Sequence, residues 1–242
     1  LVGYSIGPRI NAAGRLGRAD LALELFVSEN PKRAEELVDL LEEMNLERQE
    51  IEKDILDDID SSLDLKKIKL PLVLHSEDWH QGIVGITAAK LADRHAVPCI
   101  IICFEGDLGK GSCRSFGGYN IYEGLSYAKE YLEGFGGHAF AAGISIKREN
   151  IEPFKKKLSE HYLSAPKTAK ATISADLIVD DPELLSYESV ASLEDFEPWG
   201  SGNEKPILYL PRAKLKKLSS IGGGRHCKLI LEKGNKKFSC VM

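Results

Sequence analysis

The stretch "LPLVLHSEDWHQGIVGITAAKLADRHAVPCIIICF", Leu70 to Phe104, carries the signature of the fold class. "LPLVLH" (70–75) reads as a strand, and "GIVGITAAKLADRH" (82–95) carries its apolar residues at helical spacing. "VPCIIICF" (97–104) is an unbroken apolar run that suits a buried strand. Strand, helix and strand in succession is the repeating unit of an α/β layout. Next along the chain, "EGDLG" (105–109) reads as a turn and "KGSCRS" (110–115) as an extended segment. "NIYEGLSYAKEYL" (120–132) reads as a helix, with Asn120 and Glu123 at capping-box spacing. After "EGFGGHAF" (133–140), read as a connection, come a strand "AAGISI" (141–146) and a helix from Asn150 to about Tyr162. A mixed sheet with helices is therefore expected over residues 68–163.

Upstream lies "PKRAEELVDLLEEMNLERQEIEKDILDDID", Pro31 to Asp60. Leu37, Leu41, Met44, Ile51, Ile55 and Ile59 recur at spacings of three, four and seven. That period predicts one amphipathic helix of roughly 45 Å, long enough to bridge two bodies. A shorter packing helix ending near Arg48 is the alternative. Downstream, "SAPKTAKA" (164–171) reads as a linker. Beyond it the pattern changes to strands, "TISADLIV", "PILYLPRAKLKKL", "HCKLILE" and "KKFSCVM", with "GGGR" and "KGNK" as tight connections. Several short basic strands suit a small β-barrel of the oligonucleotide-binding type, truncated if the four visible strands are all there is.

Composition is that of an ordinary globular chain: 242 residues, 43% hydrophobic and 29% charged. No apolar run reaches the roughly 18 residues that span a bilayer, and no signal peptide is visible, so a cytoplasmic chain without a membrane partner is expected. Cys99, Cys103, Cys113, Cys227 and Cys240 form no Cys-x-x-Cys pair, which argues against a disulfide framework and a zinc site. The start at Leu1 and the end at Met242 directly after an apolar run read as a piece of something longer. Net charge is −5, but residues 201–242 hold ten basic residues against Glu204 and Glu232, a local +8 that leaves −13 for the rest. A basic surface of that kind is the electrostatic footprint of polyanion binding; a solvated lysine-rich sheet face is the alternative.

No P-loop, His-Glu-x-x-His or Gly-x-Ser-x-Gly signature occurs, and "DDID" (57–60) reads as solvated charge. What remains is a set of polar residues in segments read as glycine-rich loops. "GPRINAAGRLG" (7–17) offers Arg9, Asn11 and Arg15; "KGSCRSFGG" (110–118) offers Lys110, Ser112, Arg114 and Ser115. "GFGGHAFAAG" (134–143) offers His138 beside Gly136 and Gly137, and His80 stands where a helix begins. Arginine forks onto phosphate oxygens, glycine admits close backbone approach, and helix N-terminal amides favour anions, so together these segments read as phosphate grips. Taken singly, each has an ordinary structural reading: a turn, a strand, a core histidine.

"GPRINAAGRLGRADLALELF", "DWHQGIVGITAAKLADRHAVPCIII", "GKGSCRSFGGYNIYEGL", "FGGHAFAAGISI" and "FEPWGSGNEKPILYL" together resemble, in order, the C-terminal half of the RecJ single-strand-specific exonucleases of the DHH phosphoesterase superfamily. Gln81 and Gly117 depart from an expected proline and Trp199 from an expected phenylalanine. The resemblance implies the end of a catalytic domain with a connecting helix over 1–67, an associated α/β domain over 68–163 and an oligonucleotide-binding barrel over 164–242. It implies a metal-dependent 5′ to 3′ hydrolysis of single-stranded DNA, with Mn or Mg held by an N-terminal DHH domain and no metal ligand here. Ser112, Arg114 and His138 become the expected catalytic positioning groups. Arg9, Asn11, Arg15, His80, Lys110, Ser115, Gly136, Gly137, Arg225 and Lys228 become expected DNA contacts. The implied partners are single-stranded DNA, the N-terminal DHH domain, and a single-strand-binding protein or helicase. An oligoribonuclease or nucleotide phosphatase of the same superfamily, and a binding module without catalysis, are the competing readings.

Overall fold

The computed structural model describes residues 2–63, 70–165, 174–200, 202–224 and 226–242, which fall into two compact units, Leu1–Ala171 and Thr172–Met242. The linker expected at 164–171 lies largely outside the described residues, as does Arg225.

The first unit opens with a π-helical turn, Val2–Ile6, followed by α1 (Gly7–Arg15), α2 (Ala19–Val27) and α3 (Pro31–Ser62). The expected loop at 7–17 is therefore a helix. Pro8 sits in its first turn, where a fixed φ helps and the missing N–H is no loss. Ala12 and Ala13 pack fully buried, with Ala13 against Leu21, Ala22, Leu37 and Leu41, so tertiary burial outweighs the two glycines. Asn30 caps α3, its side chain accepting from the N–H groups of Lys32 and Arg33. The helix runs 32 residues without a break near Arg48. Its N-terminal half packs on α1 and α2 through Leu37 and Leu41, and its C-terminal half lies on the sheet layer through Ile55 and Ile59.

The sheet runs β1 (Leu72–Ser76), β2 (Cys99–Glu105), β3 (Leu108–Arg114), β4 (Leu132–Gly137) and β5 (Ala141–Lys147), in spatial order β1-β2-β3-β5-β4. β1 and β2 are parallel, joined through α4 (Val84–His95); the other pairings are antiparallel. α5 (Ile121–Tyr127) and α6 (Ile151–Ser164) cover one face, on Ile100, Ile102, Cys113, Ile144 and Ile146. α4 and α3 cover part of the other, on Cys99 and Ile101. Burial from both sides explains the unbroken run Ile100-Ile101-Ile102, every member of which is 0% exposed. Asn120 caps α5 by accepting from the Glu123 N–H, while its amide donates to the Glu123 carboxylate.

One sequence expectation fails here: "LEGFGG" is an edge strand rather than part of a connection, and the turn shrinks to residues 138–140. Three glycines disfavour a strand on propensity, but hydrogen-bonded pairing with β5 along one side holds the segment extended at the sheet edge.

The second unit contains a parallel pair, β6 (Leu177–Ile178) with β7 (Leu208–Tyr209), and an antiparallel sheet of β8 (Lys214–Ile221), β9 (His226–Lys233) and β10 (Lys236–Val241) in the order β10-β9-β8. Between β6 and β7 lie short helical segments, among them α7 (Tyr187–Ala191). The expected small barrel is corrected: strand pairing does not join the two sheets among the described residues. "PILYLPRAKLKKL" breaks at Pro211-Arg212, where Arg212 takes a φ of 58°, and its two parts enter different sheets. Val179 is the single fully buried apolar residue described in this unit, so the described residues form no enclosed core to close around. Register divides the larger sheet into two faces. Lys214, Lys217, Lys228 and Lys237 share one with Glu232; Leu215, Leu218, Leu229, Leu231 and Phe238 share the other.

Candidate functional site

Alternation along β3 sorts its residues. Gly109, Gly111 and Cys113 face the α5–α6 core, and Lys110, Ser112 and Arg114 face the α4 side. A side chain at Gly111 would press within 2.8 Å of Ile144 and 2.9 Å of Ile102, so this glycine serves core packing rather than ligand approach. On the α4 side, Ser112 Oγ accepts from Arg114 Nη1 at 3.0 Å, and the same nitrogen donates to the Cys113 carbonyl at 2.8 Å. Gly85, in the first turn of α4, lies directly over them; a methyl group there would sit 3.1 Å from Ser112 Oγ and 3.4 Å from Arg114 Nη2. The missing side chain leaves the hydroxyl and guanidinium against a helix N-terminus, where amides and dipole favour an anion.

Past β3 the same face loses its side chains. Ala141, Gly143 and Ser145 of β5 pair with Arg114, Ser112 and Lys110, and Gly136 of β4 pairs with Gly143. Gly134, Gly136 and Gly143 are exposed although they lie within strands, because α4 covers β2 and β3 and stops short of β5 and β4. The result is a bare floor beside Ser112 and Arg114.

His138 stands at its rim. The His138 N–H donates to the Ala141 carbonyl at 2.9 Å, and Ala141 pairs on its other side with Arg114, so His138 and Arg114 flank one residue of β5. The Phe140 N–H donates to Nδ1 of His138 at 3.3 Å, which makes Nδ1 an acceptor and puts the proton of the neutral ring on Nε2. Gly137 is obligatory: its φ is 143°, and a Cβ would collide with the Ala141 carbonyl and the Ala142 backbone.

The remaining sequence candidates divide. His80 shapes the start of α4, its Nδ1 accepting from the Gly82 N–H at 3.1 Å and its carbonyl from the Ile83 N–H at 2.9 Å. Arg15 reaches Gly82, donating to its carbonyl at 3.4 Å, and the Arg15 backbone leaves no room for a side chain at Gly82. Burial, then repulsion by Arg48 and Arg114, lowers the Arg15 pKa while Glu52 pulls it the other way. Lys110 is exposed on the same face. Arg9 is engaged elsewhere, paired with Glu42 of α3 and donating to the Ser5 carbonyl at 2.6 Å. The Ser115 hydroxyl donates to the Tyr119 carbonyl and its N–H to the Phe140 carbonyl, so it ties two loops together. Asn11 is exposed on α1, in a cleft with Ile10 and Arg15. Lys228 belongs to the basic sheet face of the second unit.

Sequence reasoning did not single out Gly85 over Ser112 and Arg114, or Glu52, whose charge acts on Arg15. The signal for Glu52 was present: with Asn45 it occupies a core-facing position of the stripe Leu37, Leu41, Ile55 and Ile59.

Residues 68–163 match the family model described as the DHHA1 domain, and residues 176–242 match the RecJ OB domain. The chain is 31% identical to a single-stranded-DNA-specific exonuclease RecJ of Bacillus subtilis (strain 168) over 99% of its own length and 31% of that relative. A crystal structure of RecJ with Mg2+ from Thermus thermophilus superposes with a TM-score of 0.82 at 30% identity, covering 95% of this chain and 36% of that one. The Mn2+ structure from the same organism gives a TM-score of 0.81 at 28% identity, covering 99% of this chain and 35% of that one. The chain spans about a third to two fifths of the length of the curated relatives it matches along nearly all of its own length.

Proposed function

The chain belongs to the RecJ family, and on that premise we propose that it supplies the substrate-phosphate positioning and single-strand binding of a metal-dependent 5′ to 3′ single-stranded DNA exonuclease. One observation carries the reading: Ser112, Arg114 and His138 border a floor of Ala141, Gly143 and Gly136, where nothing bulkier than a methyl group stands over the backbone. A phosphodiester can lie on such a floor with its oxygens against the donors. Arg114 retains Nε and Nη2 as charged donors, Ser112 adds a hydroxyl, and His138 donates from Nε2. In this role His138 holds the scissile phosphate, and Arg15, His80 and Lys110 extend the grip along the strand. Arg9 and Ser115 contribute by holding α1 and the 115–119 turn in place.

The face offers hydroxyl, guanidinium, imidazole and ammonium groups, which suit anionic oxygens and not a divalent cation. Among the described residues no three His, Cys, Asp or Glu side chains gather as metal ligands. Mn or Mg, which would activate water and stabilise the leaving oxygen, is assigned to an N-terminal DHH domain outside these residues. In this division residues 1–67 end that domain and connect it through α3, residues 68–163 position the phosphate, and residues 164–242 hold the strand. The OB unit brings its lysine face, Lys214, Lys217, Lys228 and Lys237, to the backbone. That face favours a polynucleotide substrate over a mononucleotide or short oligoribonucleotide.

Fluorescence anisotropy of this chain with a labelled, 5′-phosphorylated single strand tests the reading. Binding should weaken steeply as salt rises, and Arg114→Gln should lower affinity further. Absence of binding at low salt would remove the nucleic-acid assignment.

A further inference from the structure

The core-facing stripe of α3 is interrupted by Asn45 and Glu52, only 5% and 2% exposed. A carboxylate that deep is costly unless it is paired. Glu52 Oε2 accepts from Arg48 Nη1 at 2.8 Å, and Arg48 Nη2 donates to Asn45 Oδ1 at 2.9 Å. Lys90 Nζ of α4 stands 2.6 Å from Oε1 as an ion pair without hydrogen-bond alignment. One buried carboxylate therefore ties α3 to α4.

α4 is also the element that touches both halves of the grip. The turn leading into it meets the Arg15 backbone at Gly82, and its first turn meets Ser112 with Arg114 at Gly85. Lys90 lies about one and a half turns further along the same helix. Arg15 feels the repulsion of both Arg48 and Arg114 and the attraction of Glu52, so these groups share one electrostatic neighbourhood. Arg48 and Lys90 pair with Glu52, and Arg48 and Arg114 both act on Arg15, so these four cations outnumber the Glu52 carboxylate they share and favour an anion.

We propose that Glu52 is a positioning residue for the phosphate-binding face, setting through Lys90 and Arg48 where α4 and its Gly82–Gly85 turn stand against Arg15 and Arg114. The inference rests on the phosphate-binding reading given above, and its ligand is a phosphate ester. Charge alone makes the opposite forecast: deleting a negative group beside four cations should tighten anion binding. Positioning requires that the same deletion weaken it.

The test is titration of thymidine 5′-monophosphate into the intact chain, followed by the backbone amide shifts of Gly82 and Gly85. Glu52→Gln and Lys90→Gln should each weaken binding about tenfold, a coupling of ordinary size for groups in one network. Ser112→Ala and Arg114→Gln serve as reference variants for the phosphate site itself. Unchanged or tighter binding by Glu52→Gln, with the reference variants weakened, overturns the positioning role and leaves the phosphate site standing. No shift in the wild type overturns both. Should Glu52→Gln fail to fold, Glu52→Asp decides: it keeps the carboxylate charge and shortens its reach to Arg48 and Lys90, so positioning requires weaker binding, and unchanged binding overturns it.

Discussion

Residue by residue, the glycines of this chain divide by function. Gly137 is fixed by its φ of 143° and by the backbone pressed against it. Gly137→Ala should cost about 2–4 kcal/mol, read as a fall in the urea midpoint, because strain and overlap act together. Gly143 has open space around it, with the Gly111 carbonyl 3.8 Å from where a methyl group would sit, so Gly143→Ala should leave stability nearly unchanged. If the floor receives a phosphodiester, a larger residue there, Gly143→Val, should lower single-strand affinity without lowering the urea midpoint. For His138→Ala in a full-length protein carrying the DHH domain, cleavage should fall about a hundredfold or more with DNA binding mostly kept, as for loss of one preorganised donor. Unchanged turnover would remove His138 from the site. The buried thiols behave differently again: burial raises the Cys113 thiol and pushes Cys99 up to about 12. Both should resist alkylation at pH 8 until the chain unfolds, whereas half-exposed Cys227 and Cys240 should label in the native state.

Among the elements, α3 packs along the α4 side of the sheet. α3 is joined to the α4 side by Glu52 with Lys90, by Asp58 accepting from Trp79 Nε1 at 2.8 Å, and by Asp60 with Arg94 at 2.8 Å. The last pair is exposed and contributes little; Trp79, 8% exposed, adds apolar burial to its hydrogen bond. Asp58→Ala should therefore destabilise the first unit by about 1–3 kcal/mol, since it leaves a buried indole donor unsatisfied, while Asp60→Ala should be close to neutral. Thermal melts of the two variants compare them directly. Periodicity made α3 legible and correctly carried it past Arg48, because its apolar stripe contacts two cores in turn. The same reasoning misplaced α1 and β4. Glycine content argues for loops in both, and what overrides it is contact with partners distant in sequence: α3 for Ala13, β5 for Gly136.

Over the molecule as a whole, the charge asymmetry becomes a surface. Four lysines gather on one face of the three-stranded sheet, and replacing Lys214, Lys217, Lys228 and Lys237 together by glutamine should reduce the salt dependence of single-strand binding by a slope of about three. A slope that does not change would return the lysines to solvated decoration. Incubated with Mn2+ and single-stranded DNA, this chain should bind and leave the strand uncut; cleavage would place metal-dependent chemistry within these residues. Apart from β4, the α/β order of residues 70–163, the long helix, the cap at Asn120 and the residue types expected to grip a phosphate follow from local periodicity and side-chain chemistry, so they can be read from the chain without coordinates. Which of those residues meet is a matter of tertiary contact. Pairing across β3, β5 and β4 put His138 and Arg114 on either side of Ala141, α4 left the glycine floor uncovered, and Arg9 and Ser115 were drawn into scaffold contacts. Tertiary contact also left the basic strands as an open sheet, because closure needs an enclosed core and hydrogen-bonded neighbours that no short stretch of sequence specifies.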